Sequence, residues 1–149
     1  MGQQQLLLIV LGIIIVGIAI AVGVNMFQSS AVDTNRQSMI SDLANLAAKA
    51  QRYYRTPTEL GGGAQDFQNF ALGRLDTANA NGSYRLSTAT SLSADAVPAP
   101  TTANTSIATS VTDTIYILGW GKEMGDIGTF PVKAQCAVSP TGISTQIVN

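Results

Sequence analysis

The residues able to do chemistry are few and thinly spread. Of 149 residues none is histidine and one, Cys136, is cysteine. This removes the usual zinc ligand sets, imidazole acid–base chemistry and any intrachain disulfide. Lys49, Arg52 and Arg55 recur every three residues with Tyr53 and Tyr54 between them, the pattern of a phosphate-binding patch with stacking rings. With 8 Lys+Arg against 9 Asp+Glu and a net charge of -1, no basic field surrounds them, and cations are favoured beside a helix C-terminus by its dipole. The cluster therefore reads as a solvated helix end, and no specific nucleic-acid partner is expected. Glu123 and Asp126 sit in the glycine-flanked GKEMGDIG stretch, where hard oxygen ligands suit calcium. Two carboxylates fall short of a site unless backbone oxygens or Asp113 complete it, so no metal and no cofactor is expected. No nucleophile–base spacing and no dry carboxylate pair can be found, and the chain is expected not to be an enzyme.

The elements that carry these residues begin with an apolar run. The chain is 46% hydrophobic and 11% charged, less than half the usual quarter charged for a soluble domain. From Leu6 to Val24 it reads LLLIVLGIIIVGIAIAVGV, nineteen residues without a polar side chain, and the first charge is Asp33. At 1.5 Å per residue this covers roughly 28 Å of helix, close to the thickness of a bilayer's hydrocarbon. Ala19-Ile20-Ala21 has the small-x-small shape of a leader-peptidase site, but the preceding MGQQQ lacks the Lys or Arg of a secretory signal. Orienting charge is missing for the same reason, so Met1 is either an initiator or the start of a mature chain whose basic leader has been removed.

The apolar run does not end at a turn. Val32, Met39, Ile40, Leu43, Leu46, Ala47, Ala50, Tyr53 and Tyr54 recur at helical spacing, with no Gly or Pro between Gln28 and Arg55. Thr56-Pro57 and Gly61-Gly62-Gly63 then supply a stop. One helix from about Gln3 to Arg55 is predicted, apolar all round in its first half and amphipathic in its second. Gly12, Gly17 and Gly23 each cost about 1 kcal/mol of helix propensity relative to Ala; they serve either close helix packing or local unwinding.

Beyond the glycines, Gln65–Leu72 is predicted as a short helix with Phe67, Phe70 and Ala71 inward. Ser83–Ser87 and Thr114–Leu118 are predicted strands, and Thr129–Val138 with Ile143–Val148 a hairpin turning at Ser139-Pro140-Thr141-Gly142. Val132, Ala134, Cys136 and Val138 alternate with polar residues and Ile143 and Ile147 match them, so one hairpin face should be buried, with Cys136 as a small hydrophobe. Its natural cover is the amphipathic half of the helix. The fold class is α+β: a long N-terminal helix packed on a small C-terminal antiparallel sheet. Between Thr88 and Asp113 a Ser/Thr/Ala-rich stretch with Pro98 and Pro100 reads as a surface loop, either plain or carrying O-linked sugars. Asn81-Gly82-Ser83 and Asn104-Thr105-Ser106 are N-glycosylation sequons.

An apolar half-helix, its amphipathic extension and a C-terminal sheet together resemble the type IV pilin family and its pseudopilin relatives, with the best match in Leu6–Phe27 and in DLANLAAKAQRYYRTP, Asp42–Pro57. The resemblance implies three parts: 1–27 membrane-spanning before assembly and filament core after it, 28–56 the amphipathic half, and 57–149 the αβ-loop and sheet head. It implies an extracellular, self-polymerising filament for adhesion, motility or surface contact. It also implies a prepilin peptidase, N-methylation at Met1 or alternatively Gln3, and assembly machinery in the inner membrane. Core assembly would fall to Gln5, Leu6, Leu7, Ile9, Val10, Leu11, Ile13, Ile14, Val16, Ile18, Ile20, Val22, Val24 and Phe27, with Gly12, Gly17 and Gly23 for packing or unwinding. Pilins typically carry glutamate at the fifth mature position; here Gln5 stands there if Met1 is the mature start, and Leu7 if Gln3 is. The alternatives are a pseudopilin or minor pilin of a secretion machine and a monomeric single-span membrane protein displaying a binding module.

Overall fold

The computed structural model of the chain describes residues 2–88, 105–125 and 131–148; Met1, Asn104, Asp126, Thr129 and the Pro98–Pro100 stretch lie outside them. One helix, α1 (Gly2–Arg55), packs on a four-stranded antiparallel sheet of β1 (Gly82–Ser87), β2 (Ile115–Met124), β3 (Pro131–Val138) and β4 (Ile143–Ile147), in spatial order β1-β2-β3-β4. This is the expected α+β architecture.

At 54 residues, α1 is about 81 Å long. Its end is built by the chain that follows it. Proline at 57 cannot continue the helix, and the loop returns to satisfy the orphaned carbonyls. Thr56 N–H donates to Arg52 O at 3.1 Å, Gly63 N–H to Tyr53 O at 2.9 Å and Gln65 N–H to Tyr54 O at 2.8 Å.

Met39, Leu43, Leu46, Ala47 and Ala50 form the buried face of α1. They meet Tyr84 and Leu86 of β1, Ile115 and Ile117 of β2, and Val132, Ala134, Cys136 and Val138 of β3 in one core. The side chains of Leu118 and Trp120 alternate to the other sheet face, where they cluster with Tyr116 and Val148. The approach of α1 to the sheet depends on two glycines of β2. A Cβ on Gly121 would collide with Oδ1 of Asn35 and lie 2.9 Å from Sδ of Met39; one on Gly119 would lie 3.0 Å from Cε of Met39 and 3.2 Å from the Tyr84 ring. Their lack of alternating apolar side chains is also why the sequence pattern places the end of this strand at Leu118 rather than Met124.

Three expectations are corrected. Gln65–Leu72 is not a helix: Ala64, Gln65 and Asn69 have positive φ, and the segment runs alongside 105–111. Phe67 N–H donates to Val111 O at 3.0 Å, Asn69 N–H to Ile107 O at 2.7 Å and Leu72 N–H to Thr105 O at 2.8 Å. Phe67 and Phe70 are inward as expected, but Ala71 is exposed and Leu72 is buried instead. The described end of the Thr88–Asp113 stretch is likewise no plain surface loop, because Ile107 is part of the core and Ala71 bridges to Ser106. Finally, Ile143 and Ile147 are on the helix-side face but remain 42% and 40% exposed, since α1 lies chiefly over β2 and β3.

The glycine approach is testable. Gly121→Val should push α1 off β2 and destabilise the head by about 1–3 kcal/mol, read as a lower midpoint in thermal melts followed by Trp120 fluorescence. An unchanged midpoint would show that the helix does not rest on this strand.

Candidate functional site

The first half of α1 is an apolar surface that no described residue covers. Leu6 through Phe27 present their side chains to solvent on all sides, from 51% exposure at Val10 to 80% at Phe27. The most apolar eighteen-residue window is 0% buried, and α1 is long and apolar enough to cross a membrane. Leaving such side chains in water forfeits about 1.5–3 kcal/mol for each large one, so the surface requires lipid or protein around it. Every apolar residue named for core assembly, Leu6, Leu7, Ile9, Val10, Leu11, Ile13, Ile14, Val16, Ile18, Ile20, Val22, Val24 and Phe27, belongs to it. Gln3 and Gln5 are exposed in its polar first turn.

No described residue packs against the glycines of this rod. At Gly12, Gly17 and Gly23 an added Cβ would meet nothing within 4 Å, yet each glycine weakens the helix by about 1 kcal/mol relative to Ala. At about 100° per residue, steps of seven and eleven return to nearly the same side of a helix. Gln5, Gly12, Ala19, Gly23 and Ser30 therefore lie along one side of the helix, a line of small or polar residues interrupted by Val16. Met39 lies 27 residues beyond Gly12, about seven and a half turns. The line thus runs down the back of α1, opposite the face of Met39, Leu43, Leu46 and Ala50 that carries the head.

The head is tied to the rod by one carboxylate that the sequence did not single out. Oδ2 of Asp42 accepts from Asn79 Nδ2, Asn81 Nδ2 and Tyr84 OH, each at 2.8 Å. Asn79 Oδ1 in turn accepts from the backbone N–H of Asn81 and Gly82 at 2.9 and 3.0 Å, and Asn35 Nδ2 donates to Asn81 O at 2.9 Å. Burial opposes ionisation of Asp42, but the hydrogen bonds from Asn81, Asn79 and Tyr84 outweigh it and hold the carboxyl below its usual 3.8. Burial, with the Asp42 charge added, pushes the Tyr84 phenol far above its ordinary range, so it stays a donor. Beside this network an open groove of about 630 Å³ is lined by Asp42, Asn45, Lys49, Arg52, Asp76 and Asn79 among others. Its carboxylates are both engaged, Asp76 by Lys49 at 2.6 Å, which leaves neither as a poised acid or base.

The remaining sequence candidates separate. Asp113 precedes β2 and Glu123 lies near its far end, roughly 30 Å apart at strand rise, so the two cannot share a calcium ion. The sequence left this open because the residues beyond Leu118 read as a glycine-flanked loop rather than as the rest of the strand. Asp126 lies outside the described residues, among which no three His, Cys, Asp or Glu side chains gather. Of the sequons, Asn104 is also outside them, and the Asn81 amide nitrogen that a glycan would occupy is the one donated to Asp42. Lys49 pairs with Asp76 and Arg55 donates to Pro140 O at 3.4 Å, as a helix end packed on its own head. Cys136 is wholly buried, and burial pushes its thiol up.

Comparison of the chain with protein families, with curated proteins and with solved structures finds no match.

The Asp42 network has a pH signature. A folded-state value below the unfolded one gives stability that is present above 3.8 and is lost as pH falls through the lowered value. Asp42→Asn should destabilise the head by about 1.5–3 kcal/mol at pH 7, the range for hydrogen bonds to a charged group, and the difference from the unsubstituted protein should close on acidification below 3.8. Parallel thermal melts check this; a gap that persists in acid would assign the loss to packing rather than charge.

Proposed function

We propose that this chain is the structural subunit of an extracellular type IV pilus-like filament, polymerised through the apolar half of α1 with the sheet heads outward. The observation that carries the reading is the set of Gly12, Gly17 and Gly23 on a rod that no described residue covers. In lipid alone these glycines only weaken the helix. Against other helices they let backbones approach closely, as small residues do in membrane bundles. The line through Gln5, Gly12, Ala19, Gly23 and Ser30 supports the same arrangement, since it lies where neighbouring rods would meet if the heads face out. Before assembly the same half-helix would span a membrane, with its backbone hydrogen bonds satisfied internally.

Gln5 fits this bundle as a neutral contact. Burying an amide among apolar helices costs less than burying a carboxylate, and a hydrogen bond to a neighbour offsets the cost. Register then comes from packing at the glycines rather than from a charge pair. Processing at Met1 or Gln3 by a prepilin peptidase, with N-methylation, is part of the same proposal.

Electron microscopy of material sheared from producing cells, with intact mass of the same sample, tests the reading. Uniform thin fibres containing this chain, heavier by one methyl group, are the expected result. A membrane fraction holding an unmodified monomer and no fibres would replace it with an anchored module. A variant sharpens the test: Gly12→Leu should leave the melting of the head unchanged, because among the described residues no atom outside the helix lies near that position. It should cut fibre yield about tenfold or more, the equivalent of some 1.4 kcal/mol of lost association. Equal yields from both chains would show that Gly12 lies in no helix contact.

A further inference from the structure

The sheet has two edges, and the described residues cover only one. Along β1, Tyr84 N–H donates to Thr77 O and Asn79 N–H to Gly82 O, both at 2.9 Å, and Ala78 bridges to Ser83. Along β4 no described residue lies alongside, and the strand is exposed at every position but the half-buried Thr145. The β3–β4 ladder determines which groups are left open. Ser139 N–H donates to Gly142 O and Val148 N–H to Lys133 O, both at 2.9 Å, and between these ends Ala137 pairs with Ser144 and Gln135 with Gln146. Antiparallel pairs alternate, so Ser144 and Gln146 turn their backbone groups toward β3, while Ile143, Thr145 and Ile147 turn theirs outward. Three N–H and three C=O groups therefore face away on a strand, ISTQI, that has no charge and no proline to blunt it.

This edge is self-complementary. A two-fold axis perpendicular to the sheet at Thr145 sets Thr145 against its own copy, Ile143 against the partner's Ile147 and Ser144 against the partner's Gln146. All six outward groups are then paired. Ile143 and Ile147, 42% and 40% exposed, close over their counterparts on the face that carries α1. The helices do not obstruct this: three strand spacings of about 4.8 Å separate one β3 from the other, some 14 Å, more than the 8–10 Å of helices in direct contact.

We propose that β4 is a self-pairing edge through which two copies of this chain join head to head as one eight-stranded antiparallel sheet. The two-fold axis reverses every direction in the sheet plane, so the two rods leave the pair in opposite directions. Such partners cannot be neighbours in one polar fibre; on the filament reading, which this consequence alone rests on, the contact joins antiparallel fibres. A single five-residue edge is a weak contact, and repetition along a fibre makes it effective.

The full-length chain in detergent micelles tests the pairing by sedimentation across a concentration series, with amide hydrogen exchange at Ile143, Thr145 and Ile147. Two double variants, I143K/I147K and I143E/I147E, change only exposed side chains and put like charges opposite one another. The wild type should associate with rising protection of those three amides, and each variant should associate about tenfold more weakly or less. An equimolar mixture of the two should recover association, because Lys then faces Glu. Wild type that stays monomeric with those amides unprotected at the highest concentration overturns the proposal. Association equal in all three chains, or a mixture that fails to recover, overturns it as well. None of these results bears on the filament reading, which depends on fibres containing the chain.

Discussion

An unbroken helix of which only the second half has a core to pack on is the constraint from which the other features follow. A helix satisfies its own backbone, so the apolar half of α1 needs no strand or loop around it, only an apolar surrounding. The same continuity forces the head to form on the far end of the rod, where Met39, Leu43, Leu46, Ala47 and Ala50 supply the one apolar stripe that is bounded by polar residues. Gly119 and Gly121 then bring β2 close enough for that stripe to meet the sheet. The chain thus divides its burial: the head is closed by its own residues, and the rod remains open to a different environment.

Charge has a restricted part in this design. Two ionised groups of the rod fasten the returning chain, Asp42 by three donors and Lys49 by Asp76. Hydrogen bonds to a carboxylate are worth more than those between neutral groups. A single Asp on α1 can therefore hold the 77–82 segment, which in turn covers the β1 edge of the sheet. The opposite edge has no such partner among the described residues, and the difference between the two gives the described head a closed side and an open one.

Local patterning made much of this legible. Helical spacing with no Gly or Pro from Gln28 to Arg55, followed by Pro57, determined where the rod continues and stops. Period-two alternation with the Ser139–Gly142 turn determined the β3–β4 hairpin and the inward place of Cys136. Uncovered apolar length was evident too, because nineteen residues without a polar side chain exceed what a small head can bury. These are signals between residues a few positions apart, and such signals survive in a sequence.

What only the tertiary structure decided involves residues far apart in the chain. Phe67 and Phe70 carry helical spacing, yet extended pairing with 105–111 overrode it. The Asp42 lock joins positions 39 residues apart in the case of Asn81, and no local pattern marks an Asp, two Asn and a Tyr as partners. Alternation placed Ile143 and Ile147 on the correct face but could not say that α1 stops short of β4. Nor could it show that no described side chain approaches Gly12, Gly17 and Gly23 while Met39 presses on Gly119 and Gly121. Periodicity reports which face a residue occupies; what covers that face depends on where distant segments come to rest.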